Sequence, residues 1–221
     1  MEKKQFTILV EGNVGSGKTT LLRMIRDRIK SDNVKVFIEP IDQWRNFLGF
    51  NVLKEYYDNF KGWAMKFQLL ALLTIGDRFN ELSEINIMER SVISSLEIFA
   101  KRLSENGYLD KVEIGLLEKT RAMISKEFNP DLIIYNKTTP EVSMERIQVR
   151  ARVDDLEQLT PELIQTFHDK HTELFSQEFL EWNGVQIPIY TFESPLGLDK
   201  IPPMLEELLK KIEQSFNIKI L

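Results

Sequence analysis

Apolar residues along this chain come in two patterns. Residues 6–10 (FTILV), 34–38 (VKVFI), 85–88 (INIM), 131–135 (DLIIY) and 185–192 (VQIPIYTF) are short runs rich in β-branched side chains. Such runs read as strands covered on both faces. Between them, apolar positions recur every three to four residues, the period of a helix with one buried face. That period covers 18–30, 43–81 with a break near 58–62, 92–105, 110–128, 139–151, 160–182 and 203–216. Thr139 with Pro140, and Thr160 with Pro161, place a capping hydroxyl before a proline that suits the first helical position. Asn106 and Gly107 mark a turn. Five strands alternating with helices predict an α/β fold, a five-stranded parallel sheet flanked by helices on both faces. No repeat or low-complexity linker divides the chain, so one domain over 1–221 is expected. Ligands of such sheets bind beyond the carboxyl ends of the strands. That rule singles out the stretch from Glu11 to Thr19, then Glu39, then Glu89 with Arg90.

Composition narrows the partners. Acids and bases are mixed, with a net charge of −5. No basic face for a nucleic-acid backbone is apparent, so no nucleic acid is expected. The chain has no cysteine, which removes disulfides and thiolate metal sites. No apolar run approaches the roughly 18–20 residues of a membrane span. The first strand begins almost at once, leaving no room for a targeting peptide, so a cytoplasmic protein is expected, with the nucleus left open.

The first strand runs into GNVGSGKTT, residues 12–20, which fits G-x-x-x-x-G-K-[ST]. The backbone of Gly12, Asn13, Val14, Gly15, Ser16 and Gly17 can turn its N–H groups onto a phosphate. Lys18 adds a point charge for the outer phosphates, and the Thr19 hydroxyl can ligate Mg²⁺. The helix that starts there, through Thr20, aims its positive end at the same place. This context, strand before and helix after, implies a nucleoside triphosphate. The second strand ends in EPIDQW. Pro40 biases Glu39 toward an extended conformation, so a carboxylate sits at a strand tip beside the cradle. There it can accept a proton from an attacking hydroxyl. The third strand ends in MERS, an acid beside a base.

EGNVGSGKTT, EPIDQW, WAMKFQ, MERS and DLIIYNKTTPEVSMERIQVRAR occur in the order in which the deoxynucleoside kinase family carries them, and the chain resembles that family from about residue 6 to 182. The resemblance implies a P-loop kinase fold and ATP-dependent phosphorylation of a deoxynucleoside 5′-hydroxyl, usually by a homodimer. Residues 92–105 and 110–128 are the candidate dimer surface. By the resemblance Glu39 is the general base, Arg90 holds Glu39 and the 5′ end of the acceptor, and Glu89 joins Thr19 on Mg²⁺. Phe67 and Gln68 match the base-binding pair, Phe99 a second stacking ring and Tyr57, next to Tyr56, the contact to the sugar 3′-hydroxyl. Trp44 is expected as pocket wall and Trp63 as core. Asp155 stands where the family usually has a glutamate near the same hydroxyl. Members restricted to purines or deoxycytidine carry an arginine and an aspartate where this chain has Ile75 and Ser95. Together with Ala71 these leave room for a thymine methyl. A glutamine amide, rotated either way, matches thymine or cytosine, so thymidine and deoxycytidine are the expected good substrates, with breadth to purines left open. Arg146, Arg150 and Arg152 are expected to clamp phosphates from a lid over about 150–160. His168 and His171 read as structural. A thymidylate kinase would typically show EPGG and DR where this chain reads EPID and ERS. A non-catalytic relative would lose Lys18, Glu39 or the ERS pair.

Overall fold

The structure is a computed structural model, described here for residues 5–125, 128–150, 159–194 and 198–221. Strand β1 (Phe6–Glu11) lies at the centre of the sheet. It pairs in parallel with β3 (Ile85–Glu89) on one side and β4 (Leu132–Lys137) on the other. β2 (Val34–Phe37) adds beside β3, and β6 (Val185–Glu193) beside β4, both parallel. Among the described residues the sheet has six strands, not the five expected, because β5 (Phe179–Trp182) pairs antiparallel with β6 at the edge.

The helix expected over 160–182 therefore ends early, at Phe175. Asn183 and Gly184 have φ of 49° and 75°, and the residues on either side of them pair as a two-residue hairpin. Left-handed backbone at both turn positions gives the twist that antiparallel strands need, and an Asn-Gly pair adopts it at little cost. Leu180 alone of its strand is buried, so the local period is two.

The helices are α1 (Lys18–Arg26), α2 (Ile41–Arg45), α3 (Val52–Asp58) and α4 (Phe60–Asp77), the last running into a 3₁₀ turn, Arg78–Glu81. After β3 come α5 (Val92–Ser94), a π-helical stretch (Ser95–Ala100) and α6 (Lys101–Glu105) in unbroken succession. Then follow α7 (Lys111–Ile124), α8 (Pro140–Arg150), α9 (Pro161–Phe175) and α10 (Ile201–Phe216). The stretch 43–81 breaks twice. Leu48 and Gly49 form a tight left-handed turn, φ 53° and 84°, closed by Phe47 and Phe50 exchanging backbone hydrogen bonds at 3.0 Å. Asn59 then ends α3 and caps α4, its side chain accepting from the Gly62 N–H at 3.0 Å.

Alternation along the strands sends two sets of side chains to opposite faces. Ile8, Val10, Ile87, Leu132 and Ile134 meet Leu21, Leu22 and Ile25 of α1 and Leu205, Leu209 and Ile212 of α10. Leu9, Met88, Ile133 and Tyr135 face α4, the 92–105 helix and α9. Because β1 to β4 run parallel, Glu11, Glu39 and Glu89 come out at one edge. No helix among the described residues is long and apolar enough to cross a membrane.

Candidate active site

The loop after β1 is pressed between β4 and α8. A Cβ on Gly12 would stand 2.6 Å from the Asn136 carbonyl oxygen, and one on Gly15 2.5 Å from that of Ser143. Both positions also have positive φ, so glycine is required twice over. Behind the loop, the Asn13 amide donates to the Ile164 carbonyl at 3.0 Å, and the Ser16 carbonyl accepts from Asn136 at 2.9 Å and Arg146 at 2.7 Å. Lys18 Nζ donates to the carbonyls of Gly12 and Asn13 at 2.9 and 2.8 Å. Burial, then the Arg90 charge, push the Lys18 ammonium down to about 8 against the pull of nearby carboxylates.

The strand tips are tied to one another. Thr19 Oγ1 donates to Glu89 Oε1 at 2.7 Å, and the Glu39 backbone N–H donates to Glu89 Oε2 at 3.1 Å. Arg90 Nε donates to Glu39 Oε1 at 2.6 Å, both side chains being mostly buried. Arg90 holds a left-handed backbone, φ 61°, strain of the order of 1–3 kcal/mol for a residue with a Cβ. Its N–H is anchored to the Val10 carbonyl at 3.1 Å. Burial pushes the Glu39 carboxyl up, but the charges of Arg90 and Lys18 outweigh it and hold the group below the ordinary range. Below them, buried Glu11 accepts from Ser91 Oγ at 2.6 Å and Ser94 Oγ at 3.1 Å.

Between the strand tips and the helices lies a cavity of about 630 Å³, which the cradle residues also line. Gln68, Ala71 and Ile75 of α4 and Arg78 at the start of the 3₁₀ turn that continues it, three to four apart, line the cavity together. Ser95, Phe99 and Arg102, from the 92–105 helix, line it as well. Trp44 is buried, with its indole N–H on Thr74 Oγ1 at 3.0 Å and its ring edge-on to Phe67 at 5.2 Å. Tyr56 stacks on Phe67 at 4.5 Å, and its hydroxyl hydrogen-bonds the Gln68 amide. Tyr57 lines the cavity beside it, so both tyrosines reach the pocket. Trp63 is partly buried against the core, under the Lys66 ammonium at 4.3 Å.

Most expected residues meet in this one place. Val14, Gly15, Gly17, Lys18, Thr19 and Thr20 line its phosphate end, while Gly12, Asn13 and Ser16 lie behind. Arg146 lines it too, held by Ser16 and by Ser194 Oγ at 3.1 Å. Arg152, Asp155 and the Arg150 side chain lie outside the described residues, as does most of the expected lid. Three cavity arginines were not foreseen: Arg23, Arg78 and Arg102. Arg78 donates to the Glu89 carbonyl at 2.7 Å and the Ile38 carbonyl at 3.4 Å, pinning two strand tips together. Arg102 lies over the Phe167 ring at 5.3 Å. The helical spacing from Gln68 to Arg78 and from Ser95 to Arg102 was the available clue.

A hard cation would find oxygen ligands in Thr19 and Glu89. Among the described residues no three His, Cys, Asp or Glu gather as a metal cage. Such an ion would draw its other ligands from phosphate and water, as Mg²⁺ does. His171 is fully buried, its Nδ1 paired with the Phe167 carbonyl at 2.6 Å. Burial holds it neutral, as a structural histidine.

A phosphate cradle facing a strand-tip carboxylate, with an aromatic slot beyond, is a place for passing phosphate to a flat heterocycle's sugar. The family model for deoxynucleoside kinase matches residues 8–216. The chain belongs to the deoxynucleoside kinase family. It is 29% identical to human mitochondrial thymidine kinase 2 over 219 residues, 97% of this chain and 77% of that protein. It is 30% identical to chicken deoxycytidine kinase 2 over 198 residues, 77% of this chain and 74% of that protein. The corresponding figures for the macaque thymidine kinase 2 are 29%, 99% and 82%. As a deoxynucleoside kinase, the protein is a phosphotransferase, and the family implies ATP as donor.

Proposed function

We propose that this kinase phosphorylates the 5′-hydroxyl of pyrimidine deoxynucleosides, thymidine and deoxycytidine, in nucleotide salvage. The observation that carries the reading is the slot around Gln68, walled by Phe67, Ala71, Ile75 and Ser95, with an apolar side chain and a hydroxyl at positions 75 and 95 in place of an arginine–aspartate pair, opposite the Glu39–Arg90 pair. Glu39, ionised at neutral pH, takes the proton of the attacking hydroxyl. A strong base is not needed, because phosphoryl transfer has a loose transition state dominated by positioning. Arg90 fixes Glu39 through Nε and keeps Nη1, buried and without a partner among the described residues, for the acceptor oxygen. Lys18 and the loop N–H groups hold the triphosphate. Mg²⁺, held by Thr19 and Glu89, would neutralise charge on the transferring phosphates when bound. Tyr56 orients the Gln68 amide, while Phe67 and Phe99 flank the base and Tyr57 meets the sugar. Arg146, with Arg150 and Arg152, takes the lid role, and Asp155 the second sugar contact.

The test is kcat/KM for four deoxynucleosides and for thymidylate. Thymidine and deoxycytidine are expected to exceed deoxyguanosine by about tenfold or more. A deoxyguanosine preference overturns the pocket reading, and phosphorylation of thymidylate instead overturns the acceptor class.

We further propose a homodimer. The 92–105 helix is mostly buried, so exposed Val112, Leu116 and Met123 of α7, with exposed Leu73 on the neighbouring α4, are the better candidate face. Leu116→Glu is expected to yield monomers in light scattering. The proposed compartment is the cytoplasm, which fractionation of cells tests.

A further inference from the structure

Arg102 has no part in the chemistry above. It nevertheless lines the same cavity. Its Nε and Nη1 are shut away from solvent without a hydrogen-bond partner among the described residues. The nearest acid on its own helix, Glu105, is taken by Lys170 at 2.8 Å. Lying over Phe167 gives the guanidinium a π-face but leaves its N–H donors unmet. Burying such donors unpaired costs stability, more for a charged group than a neutral one. A cation kept this way on a cavity wall is poised for an acceptor that arrives with the ligand.

Its position along the wall says which end of the ligand. Arg90, at the transfer centre, lies over the Phe99 ring at 4.5 Å. Phe99 packs on Phe167 at 4.9 Å, and Arg102 lies over Phe167. Two rings thus separate the guanidinium that meets the 5′-oxygen from the second one. The Arg102 charge also reaches the Tyr56 phenol, whose hydroxyl is bonded to Gln68.

We propose that Arg102 is a binding residue for the acceptor nucleoside, donating to an oxygen at the end remote from the 5′-hydroxyl. That oxygen is a carbonyl of the base or the 3′-oxygen of the sugar. The assignment rests on the proposed function only in which end of the cavity takes the 5′-hydroxyl.

The test compares wild type with Arg102→Met, which keeps the stem on Phe167, and Arg102→Lys, which keeps the charge. Calorimetric Kd and steady-state kinetics are measured with whichever of the four deoxynucleosides wild type binds most tightly, so an error about pyrimidines does not affect the result. Arg102→Met is expected to raise Kd and KM by about 10- to 100-fold, with kcat changed far less, and Arg102→Lys to recover part of the loss. The Tm of the free protein is expected to hold or rise, since no donor loses a protein partner. Repeating the comparison with the 3′-deoxy counterpart locates the oxygen. A loss that disappears there assigns it to the sugar, and a loss that persists assigns it to the base. Unchanged Kd in Arg102→Met overturns the proposal, as does a fall in Tm without a change in Kd. Wild-type protein that binds none of the four overturns both this inference and the function it rests on.

Discussion

The two faces of the sheet are packed differently. Against α1 and α10 the strands present Ile, Leu and Val, with Phe192, and the interior is filled. Against α4, the 92–105 helix and α9 they present Leu9, Met88 and Tyr135 to a layer rich in aromatics, and that layer encloses a cavity of about 630 Å³. Close packing favours stability, since every void forfeits contacts. The hollow face also carries buried charge, Lys18, Glu89 and Arg90, with Glu39 mostly buried beside them, and a strained Arg90 backbone. The contrast suggests that the filled face holds the fold while the hollow face is kept costly for the sake of its ligands.

The sharpest way to break this contrast is Glu39→Gln. It keeps size and one acceptor for Arg90 but removes the base, and kcat is expected to fall by about 10²- to 10⁴-fold with little change in acceptor Kd. Near-normal turnover would refute the assignment. The mirror experiment is Leu209→Ala, fully buried on the filled face. Denaturant titration is expected to show a loss of about 2–5 kcal/mol, with kcat/KM intact at a temperature where the variant stays folded. Next in size, Gln68→Leu keeps the volume of the hollow face but removes its base-reading amide. KM is expected to rise about 10- to 100-fold for a matched pyrimidine, with a small fall in Tm because the buried Tyr56 hydroxyl loses its partner.

The smallest effect is a proton. Lys18 is held at about 8 against an ordinary 10.5. Between those values the unfolded chain keeps a proton that the native protein has released, so this group makes stability rise with pH across that window. A bound triphosphate pulls the ammonium back up. Binding at pH near 8.5 is therefore expected to take up roughly half a proton or more, read by calorimetry in buffers of different ionisation enthalpy. No uptake would mean that Lys18 is already charged in the free protein.

The sequence told most where neighbours in the chain decide the outcome. The run from β1 through the glycine loop to α1 is such a case, and so is Thr160 capping α9 ahead of Pro161. It misled where two local patterns competed. Apolar spacing over 160–182 looked helical, yet Asn183 and Gly184 demanded a hairpin and Phe179–Trp182 became a strand. The turn at Leu48 was unreadable because leucine rarely takes positive φ. Arg78 and Arg102 looked like ordinary charged residues near helix ends, since nothing nearby in the sequence reveals which neighbours will bury them.

What the amino-acid order determined by itself was the set of parts: parallel strands, a phosphate loop with its lysine, and acids at strand tips. Each depends on contacts within a few residues, on backbone freedom at glycine and on the side-chain period. Tertiary structure decided the pairings. Thr19 meets Glu89 and Glu39 meets Arg90 across 70 and 51 residues of chain. Arg102 lines the cavity with two donors unmet among the described residues, while Lys170 from another helix pairs with Glu105. Burial turns such pairings into energy, and burial exists only once distant segments have closed over one another.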